Sequence, residues 1–285
     1  MRRQSVPDPS TLRKQSSNPM RASTQPFNPV LVVLAGVCAL VFVLPLVGLV
    51  VRAPWASTGQ LLGDNGVHLA VKLSLICSVA STALACVLGV PLAWVLARLS
   101  FPGKSLLRGV TTLPMVLPPV VAGVALLLAF GRRGLIGQPI ADATGFGLPF
   151  TTPGVILAES FVAMPFLVIT VEAGLRSMDA RFEDAARTLG AGRWTVFRRV
   201  TMPLIGPSLA AGAVLAWSRA LGEFGATITF AGNFPGTTQT APLGIYNDIN
   251  SGALPAAIML SVLMIVVSLA VLVALRGRYL MSDSE

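Results

Sequence analysis

The sequence predicts an all-α, polytopic membrane protein, and three observations carry that prediction. Hydrophobic residues make up 54% of the chain and charged residues 12%, where soluble domains carry about 25% charged residues. The apolar residues gather in six runs, each long enough as a helix to cross a hydrocarbon core of about 30 Å. The lysines and arginines left outside these runs favour alternate segments, as cytoplasmic loops do. The net charge of +9 does not indicate a nucleic-acid binder, because the basic residues alternate with apolar runs and do not cluster on one aromatic-studded face.

Taken in order, residues 1–28 are rich in Ser, Pro, Gln and Arg, bury too little apolar surface to fold, and read as a disordered tail. Residues 29–280 read as one transmembrane domain. Its first run, Val30 to Val51, is longer than a signal-peptide core and ends without a small-residue cleavage site, so it reads as a retained helix. The other spans are Leu73 to Ala97, Gly109 to Phe130, Gly154 to Gly174, Leu204 to about Thr227, and Leu254 to Leu275. The third run holds Pro114, Pro118 and Pro119, the fourth Pro165 and the fifth Pro207. Each removes a backbone hydrogen bond, either kinking the helix for packing or freeing carbonyls along a pathway.

Sixteen basic residues lie in the tail, the second loop, the fourth loop and the C-terminal end, whereas the three alternate loops hold only Arg52, Arg132 and Arg133. Both termini and the loop 177–203 are therefore expected in the cytoplasm. The opposite loops, Pro54 to Val67, Gly131 to Pro153 and Ala231 to Ala253, are too short for a domain. Any extracytoplasmic receptor must be a separate chain.

Charges within the spans call for partners. His68 and Lys72 sit where they can snorkel to an interface. Glu172 can reach Arg176 at i+4, and Glu159 lies deep enough to need a hydrogen bond or a proton. Arg219 and Glu223, also four apart, can neutralise each other, either as a packing pair or beside a solute pathway. The chain holds no phosphate-cradling GxxxxGK[ST] loop, no HExxH and no GxSxG, so it is not expected to be an enzyme. Cys38, Cys77 and Cys86 all fall in apolar runs without metal-ligand spacing; no metal or other cofactor is expected.

The stretch Asp179 to Pro203 stands apart. It carries Arg181, Glu183, Asp184, Arg187, Arg193 and Arg198 between two apolar runs, so it must lie in water beside the membrane. Phe182, Ala185, Ala186 and Leu189 recur at helical spacing and Gly190 follows, predicting a helix, a glycine turn and a second helix. A soluble partner can grip such an elbow.

DAARTLGAGRWTVFRRVTMP resembles the cytoplasmic loop of permease subunits of bacterial ABC importers, whose motif runs Glu-Ala-Ala, three residues, Gly, nine residues, Ile, one residue, Leu-Pro. Asp184, Ala185, Ala186, Gly190, Val200, Met202 and Pro203 fall on those positions, with Asp for Glu, Val for Ile and Met for Leu. LPMVLPPVVAGVALL at Leu113 to Leu127 and ALGEFGATITFAGNFPGTTQTAPLGIY at Ala220 to Tyr246 look like the molybdate permease branch, close to the sulfate permeases. The resemblance implies a type I importer permease that forms a homodimer, binds two cytoplasmic ABC ATPase subunits, and receives molybdate from an extracytoplasmic binding protein. Sulfate or tungstate is the alternative solute; a secondary transporter or channel is the alternative class. The implied ATPase-coupling residues are Glu183, Asp184, Ala185, Ala186, Arg187, Gly190 and Pro203, with the acidic contact open between Glu183 and Asp184. A dianion must pass without being trapped, so weak donors suit its path; Ser218, Arg219, Glu223, Thr227 and Thr229 are the candidates.

Overall fold

The computed structural model describes residues 29–279, so the tail read as disordered over 1–28 lies outside the described residues. The chain divides into two units, Met1–Val51 and Arg52–Glu285. In the first, α1 (Pro29–Val51) is apolar on every face and has no buried side chain, the character of a helix solvated by lipid.

In the second unit a 3₁₀ turn (Trp55–Ser57) and α2 (Thr58–Leu62) lead into α3 (Asn65–Arg98). Asp64 caps α3, its Oδ1 accepting from the Gly66 amide at 2.6 Å. At 34 residues, α3 is about 51 Å long and overhangs the bilayer core. The excess carries His68 and Lys72 at one end and Arg98 at the other.

The third run is not one straight helix. α4 (Lys104–Thr112) ends in a 3₁₀ turn (Leu113–Met115), and α5 (Pro119–Phe130) leaves at a bend of 118°. The prolines cause the break: Pro118 precedes a proline and is pushed to ψ 132°, outside the helical region. α6 (Gly137–Thr144) follows, and then α7 (Thr152–Ser177) runs unbroken through Pro165.

The elbow stretch forms α8 (Arg181–Thr188) and α9 (Arg193–Val196), the latter continued by a π turn (Phe197–Thr201) and a last turn (Met202–Leu204). The fifth run is also interrupted. A 71° bend separates Arg193–Leu204 from α10 (Gly206–Leu221), and residues 222–224 separate α10 from α11 (Gly225–Ala231). α12 (Ala241–Asn250) and α13 (Leu254–Tyr279) complete the described chain. Among the described residues, four helices, α1, α3, α7 and α13, are long and apolar enough to span alone; the expected six spans arise only if each bent pair counts as one.

α7 is the hub. Its Leu167, Val168, Val171 and Leu175 bury against Val90, Ala93 and Leu96 of α3 and against Ala216 and Ala220 of α10. The other half of α7 meets the two short helices, where Ala158 and Val162 pack with Ala122 and Leu126 of α5 and Ala226 and Phe230 of α11. α5 and α11 approach so closely that a Cβ on Gly123 would lie 2.5 Å from Thr229 Cβ, and one on Gly225 2.6 Å from Pro119 Cβ. The small residues of this stretch thus serve helix packing.

Candidate functional site

The elbow is built by local backbone chemistry. α8 begins with Glu183 and Asp184 in its first turn and ends with Arg187 in its last, complementing the helix dipole at both ends. It stops in a Schellman motif: the Gly190 amide donates to Arg187 O at 2.9 Å and the Ala191 amide to Ala186 O at 3.0 Å. Gly190 has φ +83°, a left-handed conformation that a β-carbon disfavours, although a Cβ there would meet open space. Trp194 stacks on Phe197 at 5.6 Å between centroids.

One face of the elbow is apolar and uncovered. Phe182, Leu189 and Trp194 are exposed, Leu189 by 88%, and Ala185 is exposed beside them. A charged loop that holds large apolar side chains in water has the composition of an interaction surface. Ala186 is half-buried, and Pro203 is exposed in the turn that returns the chain towards α10.

Glu183 and Asp184 have opposite environments. Asp184 is 68% exposed by side chain and pairs only with Arg187, at 3.1 Å. Glu183 is buried and turned inward. Its Oε1 accepts from Thr201 Oγ1 at 2.7 Å and lies 3.5 Å from Arg98 Nη2, while its Oε2 lies 3.6 Å from Arg187 Nη2. Of the two acids, Asp184 is therefore the exposed one, and Glu183 is the one in contact with residues outside α8.

A second clamp stands at the same end. Glu172 accepts from Arg108 of α4 at 2.6 Å and pairs with Arg176 at 2.7 Å, the i+4 contact expected from the sequence. The contacts from Arg98 and Arg108 had no sequence signal, because the partners lie 85 and 64 residues apart.

The interior holds the other two acids that are buried among the described residues, Glu159 and Glu223. Arg219 Nη2 meets Glu223 Oε2 at 2.5 Å, the expected pair, although Glu223 lies beyond the end of α10. Glu223 Oε1 accepts from the Ala226 amide at 2.8 Å and so caps the first turn of α11. Its side chain is 1% exposed against 29% for Arg219. Glu159, on α7, has Ser81 Oγ of α3 at 2.9 Å from its Oε2, the hydrogen bond its depth required.

The five candidate pathway residues are thus not equivalent. Ser218 is exposed and Arg219 partly so. Thr229 is half-buried with its hydroxyl donating to Gly225 O. Glu223 and Thr227 are buried within the chain, Glu223 against Arg219 and Thr227 with a hydroxyl that has no hydrogen-bond partner. Among the described residues no group of three potential metal ligands converges.

A membrane domain whose polar chemistry is concentrated in an exposed elbow and one interior ion pair is built like the membrane component of a multi-subunit transporter. Residues 89–277 match the family described as binding-protein-dependent transport system inner membrane component, and the chain belongs to that family. Among individual relatives, it is 45% identical over 248 residues to the molybdenum transport system permease protein ModB of Mycobacterium tuberculosis, covering 87% of this chain and 93% of that protein. It is 47% identical over 182 residues to ModB of Escherichia coli K12, covering 64% and 80%. The sulfate transport system permease protein CysT of the same bacterium is 35% identical over 236 residues, covering 82% and 85%. The fold is shared with a solved bacterial ABC transporter involved in the import of the acidic polysaccharide alginate, at TM-score 0.73 and 19% identity, over 90% of this chain and 95% of that one.

Proposed function

We propose that this chain is the permease subunit of an ATP-driven importer for molybdate. It acts as a homodimer, with two ATPase subunits on the cytoplasmic side and a molybdate-binding protein on the other. The observation that carries the solute is the identity to molybdenum permeases, 45% over 248 residues and 47% over 182, against 35% over 236 and 43% over 182 to sulfate permeases. Both termini and the elbow face the cytoplasm, on the strength of the basic-residue asymmetry.

In this reading Phe182, Ala185 and Leu189 enter a groove of the ATPase subunit, and Asp184 with Arg187 makes polar contacts at its rim. The Gly190 turn sets the angle between the two arms, and Pro203 returns the chain to the membrane. Closure of the ATPase dimer moves the elbow, and the bends at the proline-rich break and at Ile205 give the attached helices room to rock.

Along α10 the exposed positions Pro207, Ala211, Leu215, Ser218 and Gly222 form one helical stripe. Facing the same stripe of a second copy, it supplies a pathway wall with a hydroxyl from Ser218 and positive potential from Arg219. Glu223 holds Arg219 in place and offsets part of its charge, so a dianion is attracted without being trapped.

Reconstitution with the ATPase and the binding protein tests this. ATP- and binding-protein-dependent uptake should favour molybdate over sulfate, with tungstate as the closest competitor, and Arg219→Ala should slow it. Preference for sulfate would replace the solute assignment. An unchanged transport rate and complex stability in Arg219→Ala would remove Arg219 from the path, and uptake without any ATPase would point to a secondary transporter or channel.

A further inference from the structure

We propose that Glu183 is a positioning residue: a latch that makes the elbow and the end of α3 move as one piece during the ATP-driven cycle. The proposal rests on the importer reading above and goes beyond it, because it concerns how displacement leaves the elbow, not where a partner binds.

Three elements converge on this one carboxylate. Arg98 comes from the last residue of α3, Thr201 from the end of the π turn, and Arg187 from the last turn of α8 itself. The carboxylate is 7% exposed by side chain, whereas Phe182 and Asp184 on either side of it point into solvent. The Arg98 side chain is 20% exposed, and its Nε is buried without a hydrogen-bond partner, so Nη2 carries its contact with the elbow.

Apolar packing holds the second arm but not α8: Phe197 and Met202 pack against the core cluster that includes Val90, Ala93 and Leu96 of α3, whereas the buried residue of α8 is Glu183. α8 packs chiefly on α9 and the π turn, within the elbow. Between the elbow and the end of α3 lies a groove of about 930 Å³, walled by Trp94, Val95 and Leu99 on one side and Val196 and Phe197 on the other, with Glu183 and Thr201 at its edge. Pushed from outside, α8 would turn about the Gly190 joint unless something tied it across that groove. Glu183 is that tie. Because α3 is buried against α7 along Val90, Ala93 and Leu96, a displacement passed to Arg98 reaches the centre of the membrane domain. Coupling needs such a physically continuous element.

The test uses the assembled importer in proteoliposomes, measuring ATP hydrolysed and molybdate taken up in the same sample. Glu183→Gln and Arg98→Met should keep the ATPase subunits bound and hydrolysis within about twofold, while ATP consumed per anion rises about tenfold, the factor expected for losing one charge-assisted contact. Arg98→Lys, which keeps the charge, should stay within about twofold of the parent ratio. An unchanged ratio in Glu183→Gln overturns the latch, and so does loss of the ATPase subunits, which would make Glu183 a docking residue. A double-mutant cycle on the thermal stability of the chain alone separates this from the solute question. The Arg98→Met/Glu183→Gln double variant should be no less stable than the weaker single, and additive losses would overturn the pairing. Parent importer that hydrolyses ATP but moves no molybdate would count against the solute assignment alone, and the cycle would then decide the latch.

Discussion

At the elbow end, Glu172 and Glu183 face arginines brought by other helices, Arg108 from α4 and Arg98 from α3. In the interior, Glu159 faces the Ser81 hydroxyl, and Glu223 faces an arginine four residues earlier in its own segment. The first arrangement ties separate elements together, so a push on one is felt by its neighbour. The second fixes the position of a single side chain, Arg219, and the start of one short helix. The exposed arginines at the elbow end can be rehydrated when a pair opens; the 1% exposed Glu223 cannot. Breaking a pair should therefore be costly for the fold in the interior and costly for transmission at the elbow.

The largest effect on stability should come from Glu223→Ala, which leaves Arg219 and the Ala226 amide without their acceptor. Loss of one partner of a buried pair costs about 3–5 kcal/mol, read as a large drop in thermal stability in detergent. A small drop would mean that water already reaches Glu223. Glu172→Gln comes next, at about 2 kcal/mol, because two arginines lose their carboxylate but remain solvated. Equal losses in the two variants would erase the contrast between interior and elbow.

The smallest effect lies outside both regions. Burial, and secondarily the nearby charge of Asp64, hold the Asp248 carboxyl above its ordinary range. A raised folded-state value means that stability is fully present below the unfolded value and is lost as pH rises through the folded one. Asp248→Asn should therefore raise thermal stability slightly at pH 7, with the gain fading as pH falls towards the unperturbed value of about 3.9. A gain that grows on acidification would contradict the assignment.

Much of this was legible from the sequence, for identifiable reasons. Helical periodicity placed Glu172 opposite Arg176 and Arg219 opposite Glu223, because i+4 geometry is local. Gly190 announced the turn, since the left-handed residue after a helix is usually glycine. The second span begins earlier than the apolar run, at Asn65, because the Asp64 cap and the polar first turns extend it past Leu73. The prolines at 114, 118 and 119 marked a break but carried no angle, and the 118° bend depends on how α5 packs against α11. The different environments of Glu183 and Asp184 were illegible for the same reason: Arg98 and Thr201, which enclose Glu183, are brought from elsewhere by folding.

In the proposed importer, the elbow's uncovered face is where an ATPase subunit grips the permease. A photoreactive residue at Ala185, exposed on that face, tests it most directly in the assembled importer. Illumination should cross-link the chain to the ATPase subunit. Cross-links formed only with lipid or with a second copy of this chain would contradict it.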